Sequence, residues 1–169
     1  IMSDVSEEAE PPAWLPLGEL LQGVATNDGG GPRIELELDG FGDVLVPGSR
    51  VSMILLNLVD NALKYHRREG PDRRVRITAG RAPRDLRPGE GAEEADWLLV
   101  TVADNGPGID PALQGSVFEF SVRGDESESG SGLGLALSRD IVRQLGGEMW
   151  LESEPGRGTT ASFTLPHLS

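Results

Sequence analysis

The chain contains 169 residues, no cysteine and two histidines, and it has a formal net charge of −13 at pH 7. Its length is that of one domain with a real hydrophobic core, and its negative charge disfavours non-specific binding to nucleic acid. Without cysteine the chain cannot form disulfides or thiolate metal sites, and the wide separation of His66 and His167 argues against a zinc site.

Membrane-spanning and targeting segments are not recognisable in the sequence. No apolar run approaches the roughly 20 residues that cross a bilayer, and no signal peptide is visible. We therefore expect a soluble, cytoplasmic domain without direct membrane contact. Such a domain is also compatible with being the cytoplasmic part of a membrane-anchored parent protein. Residues 1–13 contain four acidic residues, no basic residue and two prolines, which is typical of a disordered leader or linker remnant. The folded domain is predicted to extend over residues 14–169.

The first part of this domain is predicted to contain two helices and two strands. Apolar residues at helical spacing indicate one helix over residues 17–24 and another from residue 50 to about residue 66. Alternation of apolar and acidic residues predicts a half-buried strand over residues 34–38, and a second short strand is expected at 44–46.

The second part is predicted to be richer in strands. Strands are expected at residues 75–79, 97–103, 149–153 and 159–165. Residues 81–96 are rich in proline, glycine and acidic residues and are interpreted as a long exposed hairpin loop. A helix over residues 133–145 should end at Gly146 and Gly147. Because regular strand-helix-strand units are missing, the fold class is α+β: a two-layer α/β sandwich with a mixed, mostly antiparallel sheet and helices on one face.

Four separated segments have the composition of parts of one nucleotide pocket. They are residues 57–65 (NLVDNALKY), 104–108 (DNGPG), 117–120 (VFEF) and 130–135 (GSGLGL). In this order and spacing they resemble the ATP-binding catalytic domain of sensor histidine kinases, within the superfamily that includes gyrase, Hsp90 and MutL. The resemblance covers residues 14–166, and it implies a Bergerat-type ATP-binding fold with a mobile ATP lid and with ATP and Mg²⁺ as cofactors.

Asn61 is the residue that the resemblance identifies as the Mg²⁺ ligand. Magnesium prefers hard oxygen ligands and uses one or two protein groups beside substrate phosphates, so one amide oxygen on a helix is sufficient. The resemblance further implies that Asn57 supports this region, that Lys64 meets phosphate as a point charge and that Tyr65 packs along the nucleotide. Asn57 and Lys64 are therefore the candidate catalytic residues. Alternatively, these are ordinary polar residues on an exposed helix edge and a half-buried tyrosine.

Asp104 follows an apolar strand, where a carboxylate is costly to bury unless it has a partner. A carboxylate accepts a hydrogen bond from the exocyclic amine of adenine, whereas guanine presents a carbonyl, and the family uses the matching aspartate to select adenine. Gly106 and Gly108 are expected to let the backbone approach the ring closely, with Ile109 beside the nucleotide. The alternative is an ordinary Asp-Asn-Gly turn after a strand.

A glycine-rich stretch opens the last predicted helix, so its free backbone amides form a natural anion site. It consists of Gly130, Ser131, Gly132, Leu133 and Gly134. Neither Gly-x-x-x-x-Gly-Lys-Ser/Thr nor the dinucleotide pattern Gly-x-Gly-x-x-Gly fits the chain. The polar run over residues 121–129 is predicted to be the lid, anchored by Phe118. Arg123 is a candidate phosphate contact or, alternatively, a solvated loop residue.

One departure from the family pattern bears on the reaction. In the ATPases of the superfamily a glutamate four residues before the magnesium asparagine activates water, and here that position is Asn57. We therefore expect slow hydrolysis, with the γ-phosphate destined for a histidine instead. Further departures are Gly48-Ser49 in place of an acidic residue, and the sequence FEFS over residues 118–121 in place of the usual Phe-Glu-Pro-Phe.

The resemblance also implies the partners of the chain. Histidine kinases carry the acceptor histidine on a dimerisation domain, with the receiver domain of a response regulator acting downstream. Neither His66 nor His167 has the His-Glu or His-Asp context of that acceptor. This chain is thus expected to be a monomeric catalytic domain that phosphorylates a histidine elsewhere.

Two other functions stay open from the sequence. One is a nucleotide-binding regulatory or docking module without phosphotransfer, and the other is a serine kinase of the anti-sigma-factor type. The acidic hairpin loop over residues 81–96 is either a partner-docking surface or a tolerated insertion.

Overall fold

The structure is a computed structural model, and it describes residues 13–26, 33–64, 74–83, 85, 96–114, 117–118 and 131–167. In chain order its elements are β1 (Trp14–Pro16), α1 (Leu17–Thr26), β2 (Arg33–Glu37), β3 (Leu45–Pro47), α2 (Gly48–Lys64), β4 (Arg74–Arg81), β5 (Asp96–Asp104), α3 (Pro111–Gln114), α4 (Ser131–Gln144), β6 (Met149–Glu154) and β7 (Gly158–His167). The predicted lid, the predicted leader except Ala13, and most of the predicted hairpin loop lie outside the described residues.

Five strands form one mixed sheet in the order β2-β4-β5-β7-β6. β2 and β4 run parallel, and the other three neighbouring pairs run antiparallel. The prediction of a mixed, mostly antiparallel sheet is therefore confirmed. Side chains alternate between the two faces of a strand, so Val75 and Ile77 of β4 and Val100 and Val102 of β5 all point into the core, where they are almost completely buried.

Helices α1, α2 and α4 cover this apolar face of the sheet. α2 packs against both α1 and α4. Its buried residues recur at spacings of three and four and form one stripe, namely Val51, Ile54, Leu55, Leu58, Val59 and Ala62. Together with the sheet they form one continuous hydrophobic core, which is the predicted two-layer sandwich. None of the described helices is long and apolar enough to cross a membrane.

The end of α4 shows why two glycines follow it. Gly146 has φ +95°, and the N–H of Gly147 donates to the carbonyl oxygen of Val142 at 2.9 Å. A Cβ at Gly147 would lie 1.7 Å from the carbonyl oxygen of Thr164, so no larger residue fits. The predicted helix end at these glycines is confirmed, and the chain turns at once into β6 at the edge of the sheet.

Glu148, at this turn, is held in place by its neighbours. Arg143 Nε donates to both of its carboxylate oxygens, at 3.0 and 3.2 Å, and the N–H of Met149 donates to Oε1 at 3.0 Å. Burial alone raises the pKa of Glu148, but these hydrogen bonds and the charges of Arg143 and Arg139 outweigh it and lower the pKa below 4.5.

Three features of the fold differ from the sequence-based expectation. β1 pairs antiparallel with β3 in a separate two-stranded sheet, which three residues are too short to reveal by alternation. α3, with four residues, is too short for a helical period. α2 begins at Gly48 and α4 at Ser131, each two residues before the predicted start, because the first turn of a helix need not be apolar.

Candidate functional site

A pocket lies between α2, α4 and one end of the sheet. It is lined by Leu58, Asn61 and Ala62 of α2, Val102 and Asp104 of β5, Ile109 of the following loop, Leu135 of α4, Leu151 of β6, and Thr159 and Ala161 of β7. The walls are mostly apolar, and only three of these residues have polar side chains. An apolar pocket with a few convergent polar groups is the usual arrangement for binding a small organic ligand.

Polar side chains form one row across the sheet at the end of this pocket. Asp104 of β5 lies directly opposite Thr159 of β7, and Thr159 lies directly opposite Ser153 of β6. Residues paired in this way are on the same face, with Cβ atoms roughly 4.5–5.5 Å apart. The adjacent row on the same face consists of Val102, Ala161 and Leu151. The pocket thus has an apolar floor that ends in the carboxylate of Asp104 and the hydroxyl of Thr159, and Ser153 lies next to Thr159 outside the lining.

The carboxylate of Asp104 is oriented by its own turn. The N–H of Gly106 donates to Asp104 Oδ1 at 2.9 Å, and Gly106 is buried. This is the local Asp-Asn-Gly geometry that was the alternative interpretation of the segment. The same carboxylate also lines the pocket. Asp104 therefore forms the turn and contributes to the pocket at the same time.

The loop after Asp104 is clamped against the turn between β6 and β7. Gly108 has φ +77°, and a Cβ there would lie 2.3 Å from the carbonyl oxygen of Glu154. A Cβ at Gly158 would lie 2.0 Å from the carbonyl oxygen of Asp104, and the N–H of Gly156 donates to the carbonyl oxygen of Pro107 at 2.7 Å. Position 108 therefore requires a glycine because its backbone packs closely against the turn between β6 and β7.

Ser153 and Gln114 complete this clamp, and the sequence analysis singled out neither of them. The N–H of Ile109 donates to Ser153 Oγ at 2.7 Å. Gln114 Nε2 donates to the carbonyl oxygens of Ile109, at 2.9 Å, and Ser153, at 3.0 Å. These contacts fix the side chain of Ile109 at the pocket wall. Thr159 was also missed, because its segment was interpreted only as a strand. Thr159 is two residues from Ala161, and this spacing in a strand already indicated that its hydroxyl lies on the helix-covered face.

Asn61 lies on the helix side of the pocket, beside Leu58 and Ala62 at helical spacing. Its Nδ2 is buried and has no hydrogen-bond partner among the described residues. An unsatisfied buried amide is costly, and such groups in native proteins often mark a ligand site. Among the described residues no group of three or more histidine, aspartate or glutamate residues can hold a metal ion. The described residues therefore fit Mg²⁺ only if the side-chain oxygen of Asn61 binds the ion together with phosphate oxygens of a ligand.

Asn57 has a different position from Asn61. Its Nδ2 donates to Ser138 Oγ at 3.1 Å, and Ser138 is completely buried. Asn57 thereby ties α2 to α4 and does not line the pocket. Lys64 is the last residue of α2, but its side chain, like Tyr65, Arg123 and Gly130 as a whole, lies outside what the structure describes.

The N-terminus of α4 adjoins the pocket. The helix begins at Ser131, so Gly132, Leu133 and Gly134 lie in its first turn. Leu135 lines the pocket, and at 1.5 Å rise per residue it lies about 6 Å along the axis from Ser131. The first four amides of a helix have no intrahelical acceptor and carry partial positive charge, so this helix end presents free backbone donors beside the apolar cavity.

Phe118 is connected to the same helix through a cation-π contact. The guanidinium carbon of Arg139 lies 4.4 Å from the centroid of the Phe118 ring. Phe118 also packs against the hydrophobic core. It therefore contacts the third turn of α4 and the core, and it is not part of the pocket lining.

Comparison with known proteins agrees with this geometry. Residues 48–169 match the model of the family described as histidine kinase-, DNA gyrase B- and HSP90-like ATPase. The methanogenesis regulatory histidine kinase FilI of Methanothrix harundinacea is 36% identical over 169 residues, which are 98% of this chain and 18% of FilI. The adaptive-response sensory kinase SasA of Synechococcus sp. is 36% identical over 141 residues, or 80% of this chain and 34% of SasA. The chain thus spans about a third or less of these relatives.

Solved structures show the same fold. Full-length ShkA, in complex with AMPPNP, has a TM-score of 0.69 and 25% identity, covering 99% of this chain and 34% of that chain. The mycobacterial sensor histidine kinase MprB has a TM-score of 0.67 and 24% identity, covering 93% of this chain and 98% of that chain. The chain belongs to the histidine kinase-, DNA gyrase B- and HSP90-like ATPase family, and within it to the catalytic ATP-binding domains of histidine kinases.

Proposed function

We propose that this chain binds Mg-ATP and donates the γ-phosphate to a histidine on a separate dimerisation domain in two-component signalling. The observation that carries the proposal is the pair of polar side chains, Asp104 and Thr159, at the end of an apolar pocket that adjoins the N-terminus of α4. One end of this site suits a purine and the other a polyphosphate.

The base would lie in the apolar part of the pocket. Val102 and Ala161 on the sheet and Leu135 on α4 offer flat, non-polar surfaces to an aromatic ring. Asp104 is an acceptor, so it suits the exocyclic amine of adenine. Because Gly106 already donates to Asp104 Oδ1, the carboxylate is oriented before the nucleotide binds.

The phosphates would lie at the first turn of α4. A chain with a net charge of −13 repels a triphosphate at long range, so local donors must hold it. Backbone amides of Ser131, Gly132, Leu133 and Gly134 are such donors. Asn61 would hold Mg²⁺ through its side-chain oxygen, and the ion would neutralise charge on the phosphate oxygens. Lys64, Tyr65 and Arg123 are proposed phosphate or nucleotide contacts on the resemblance alone.

The proposed acceptor is a histidine rather than water. A general base must accept a proton, and an asparagine amide cannot do so at neutral pH. Asn57 occupies the position of the activating glutamate and is engaged with Ser138. We therefore propose that residues 14–169 form a cytoplasmic kinase domain. Its direct partner is a dimerisation and phosphoacceptor domain, which passes the phosphate to the receiver domain of a response regulator.

Calorimetric titration of the chain with ATP, ADP and GTP, with and without Mg²⁺, tests nucleotide binding. Adenine-selective binding that weakens in Asp104→Ala, and a magnesium contribution that is lost in Asn61→Ala, are expected. Asp140→Ala serves as the matched control because Asp140 is exposed on α4 and does not line the pocket. Absence of binding in the unmodified chain would contradict the proposal.

Phosphotransfer needs its own experiment. The chain is incubated with labelled Mg-ATP and the dimerisation domain of its parent protein, and acid-labile phosphohistidine is measured on each protein. Label on the dimerisation domain is expected. Label on His66 or His167 of this chain would show that the acceptor has been assigned wrongly. Nucleotide binding without any transfer would favour the regulatory module.

A further inference from the structure

We propose that Ser153 is a positioning residue that determines the hydrogen-bond polarity of Thr159, so that Thr159 meets the bound base only as an acceptor. The proposal rests on the proposed nucleotide function and deepens it by assigning part of the base selectivity to a side chain outside the pocket lining. It follows from the three hydrogen-bond partners of a single hydroxyl group.

Ser153 Oγ has three close polar neighbours. The backbone nitrogen of Ile109 lies at 2.7 Å, the carbonyl oxygen of Gly158 at 3.1 Å, and Thr159 Oγ1 at 2.8 Å. Ser153 itself is half-buried between the loop after β5 and the start of β7. A serine hydroxyl has one hydrogen to donate and two lone pairs to accept with, so three partners saturate it.

Only one arrangement of hydrogens satisfies all three contacts. The backbone N–H of Ile109 is a donor only, and it uses one lone pair of Ser153. The carbonyl oxygen of Gly158 is an acceptor only, so it must receive the single hydrogen of Ser153. The remaining lone pair of Ser153 then accepts the hydroxyl hydrogen of Thr159. Thr159 has thereby committed its hydrogen to Ser153, and its oxygen can only accept hydrogen bonds from a ligand.

This polarity matters because of what lies beside Thr159. Asp104, directly opposite on β5, is also an acceptor, and both side chains line the pocket. Two adjacent acceptors match a 6-amino purine, whose exocyclic nitrogen offers two N–H groups. A 6-oxo purine offers an oxygen instead, and neither side chain is then able to donate to it. A ligand oxygen that finds no donor in this mostly apolar pocket lowers the affinity of the ligand.

Removal of the serine hydroxyl should release the hydrogen of Thr159. In Ser153→Ala, Thr159 can rotate its O–H toward the pocket and donate to a 6-oxo group. Dissociation constants for ATP and ITP are measured by calorimetry, since ITP has the 6-oxo group without the additional 2-amino group of GTP. The ratio of the ITP constant to the ATP constant is expected to fall roughly 2- to 12-fold in Ser153→Ala, which is the range for one neutral hydrogen bond.

A double-mutant comparison separates polarity from simple loss of structure. Ser153→Ala also removes a partner of Ile109 and Gly158, so weaker binding of both nucleotides by one common factor would show a merely structural role and overturn the proposal. In a Thr159→Val background, which has no hydroxyl to reorient, Ser153→Ala should leave the ratio unchanged. A further fall in that background would equally overturn it.

The neighbouring threonine on β7 provides a matched control. Thr160→Val alters a threonine that points to the opposite face of the same strand, so it should leave the ratio at the wild-type value. A wild-type chain that binds neither ATP nor ITP would refute the proposed function itself. If the wild-type chain binds ATP selectively and Ser153→Ala keeps the same selectivity, only the role of Ser153 is refuted.

Discussion

Asp104 and Thr159 are separated by 55 positions in the sequence, yet they lie directly opposite each other on β5 and β7 and line the same pocket. The pairing places a carboxylate and a hydroxyl at the end of an apolar floor. Gly158, next to Thr159, packs directly on the backbone of Asp104.

Asp104→Asn should weaken ATP binding while the fold is retained. The asparagine keeps an oxygen that can accept from the N–H of Gly106, so the turn persists. It loses the charge that strengthens a hydrogen bond to the adenine amine, and a hydrogen bond to a charged group contributes about 1.5–3 kcal/mol. We expect roughly 10- to 100-fold weaker ATP binding in calorimetry, with an unchanged unfolding midpoint. Equal affinity in the two proteins would exclude Asp104 from base recognition.

Gly158→Ala should be strongly destabilising. The new Cβ would lie 2.0 Å from the carbonyl oxygen of Asp104, and φ at this position is +126°. We expect a loss of at least about 2–3 kcal/mol in the free energy of unfolding, measured by urea denaturation, because backbone atoms cannot yield as a flexible side chain would. Gly156→Ala is the matched control. It has φ +84°, but a Cβ at this position would meet no heavy atom of the described residues within 4 Å, so the substitution should cost only about 1–2 kcal/mol, as for a left-handed alanine.

The two asparagines of α2 should respond differently to alanine. Asn57→Ala removes the hydrogen bond to the buried Ser138, so we expect a loss of about 1 kcal/mol in unfolding free energy. Asn61→Ala removes a buried amide nitrogen that has no hydrogen-bond partner in the part of the chain that the structure describes, so stability without ligand should be unchanged or higher. The effect of Mg²⁺ on ATP affinity should vanish in Asn61→Ala. If instead Asn57→Ala alone abolished the magnesium effect, the two roles would have to be exchanged.

Glu148 should make stability depend on pH in the acid range. Its pKa in the folded chain is lowered below 4.5 by Met149 and Arg143, against the effect of burial. A lowered pKa adds stability that is fully present above the unfolded value of about 4.5 and disappears as the pH falls through the folded value. The difference in unfolding free energy between wild type and Glu148→Gln should therefore shrink as the pH falls below 4.5. Because Glu148 is partly exposed, the difference is expected to be small.

Arg143→Gln provides the control for this pH dependence. It removes the guanidinium that donates to both carboxylate oxygens, so in its background the pH dependence of the Glu148→Gln difference should be much reduced. Thermal unfolding followed by circular dichroism between about pH 3 and pH 7 is sufficient to measure it. A difference that grows as the pH falls would have the wrong sign.

Much of the architecture follows from local patterns in the sequence. The stripe over α2 and the alternation in β4 and β5 were long enough to indicate element type and buried face, and the glycines after α4 marked its end. Short elements were missed, because β1 and α3 contain too few residues for a period to appear. Resemblance to the family indicated Asn61, Asp104 and Ile109, and all three line the pocket, whereas Asn57 and Phe118 lie beside it.

The sequence by itself therefore determined the two-layer α+β class and the type and buried face of the longer elements, since these depend on interactions between near neighbours. Only the tertiary structure decided that Ser153, Thr159 and Asp104 form one row, and that Gly108 and Gly158 pack on backbone rather than serve as free turns. Strand register has no local signature, because it depends on which distant strands pair and on how their buried faces align. The hydrogen-bond polarity of Thr159 depends on that register.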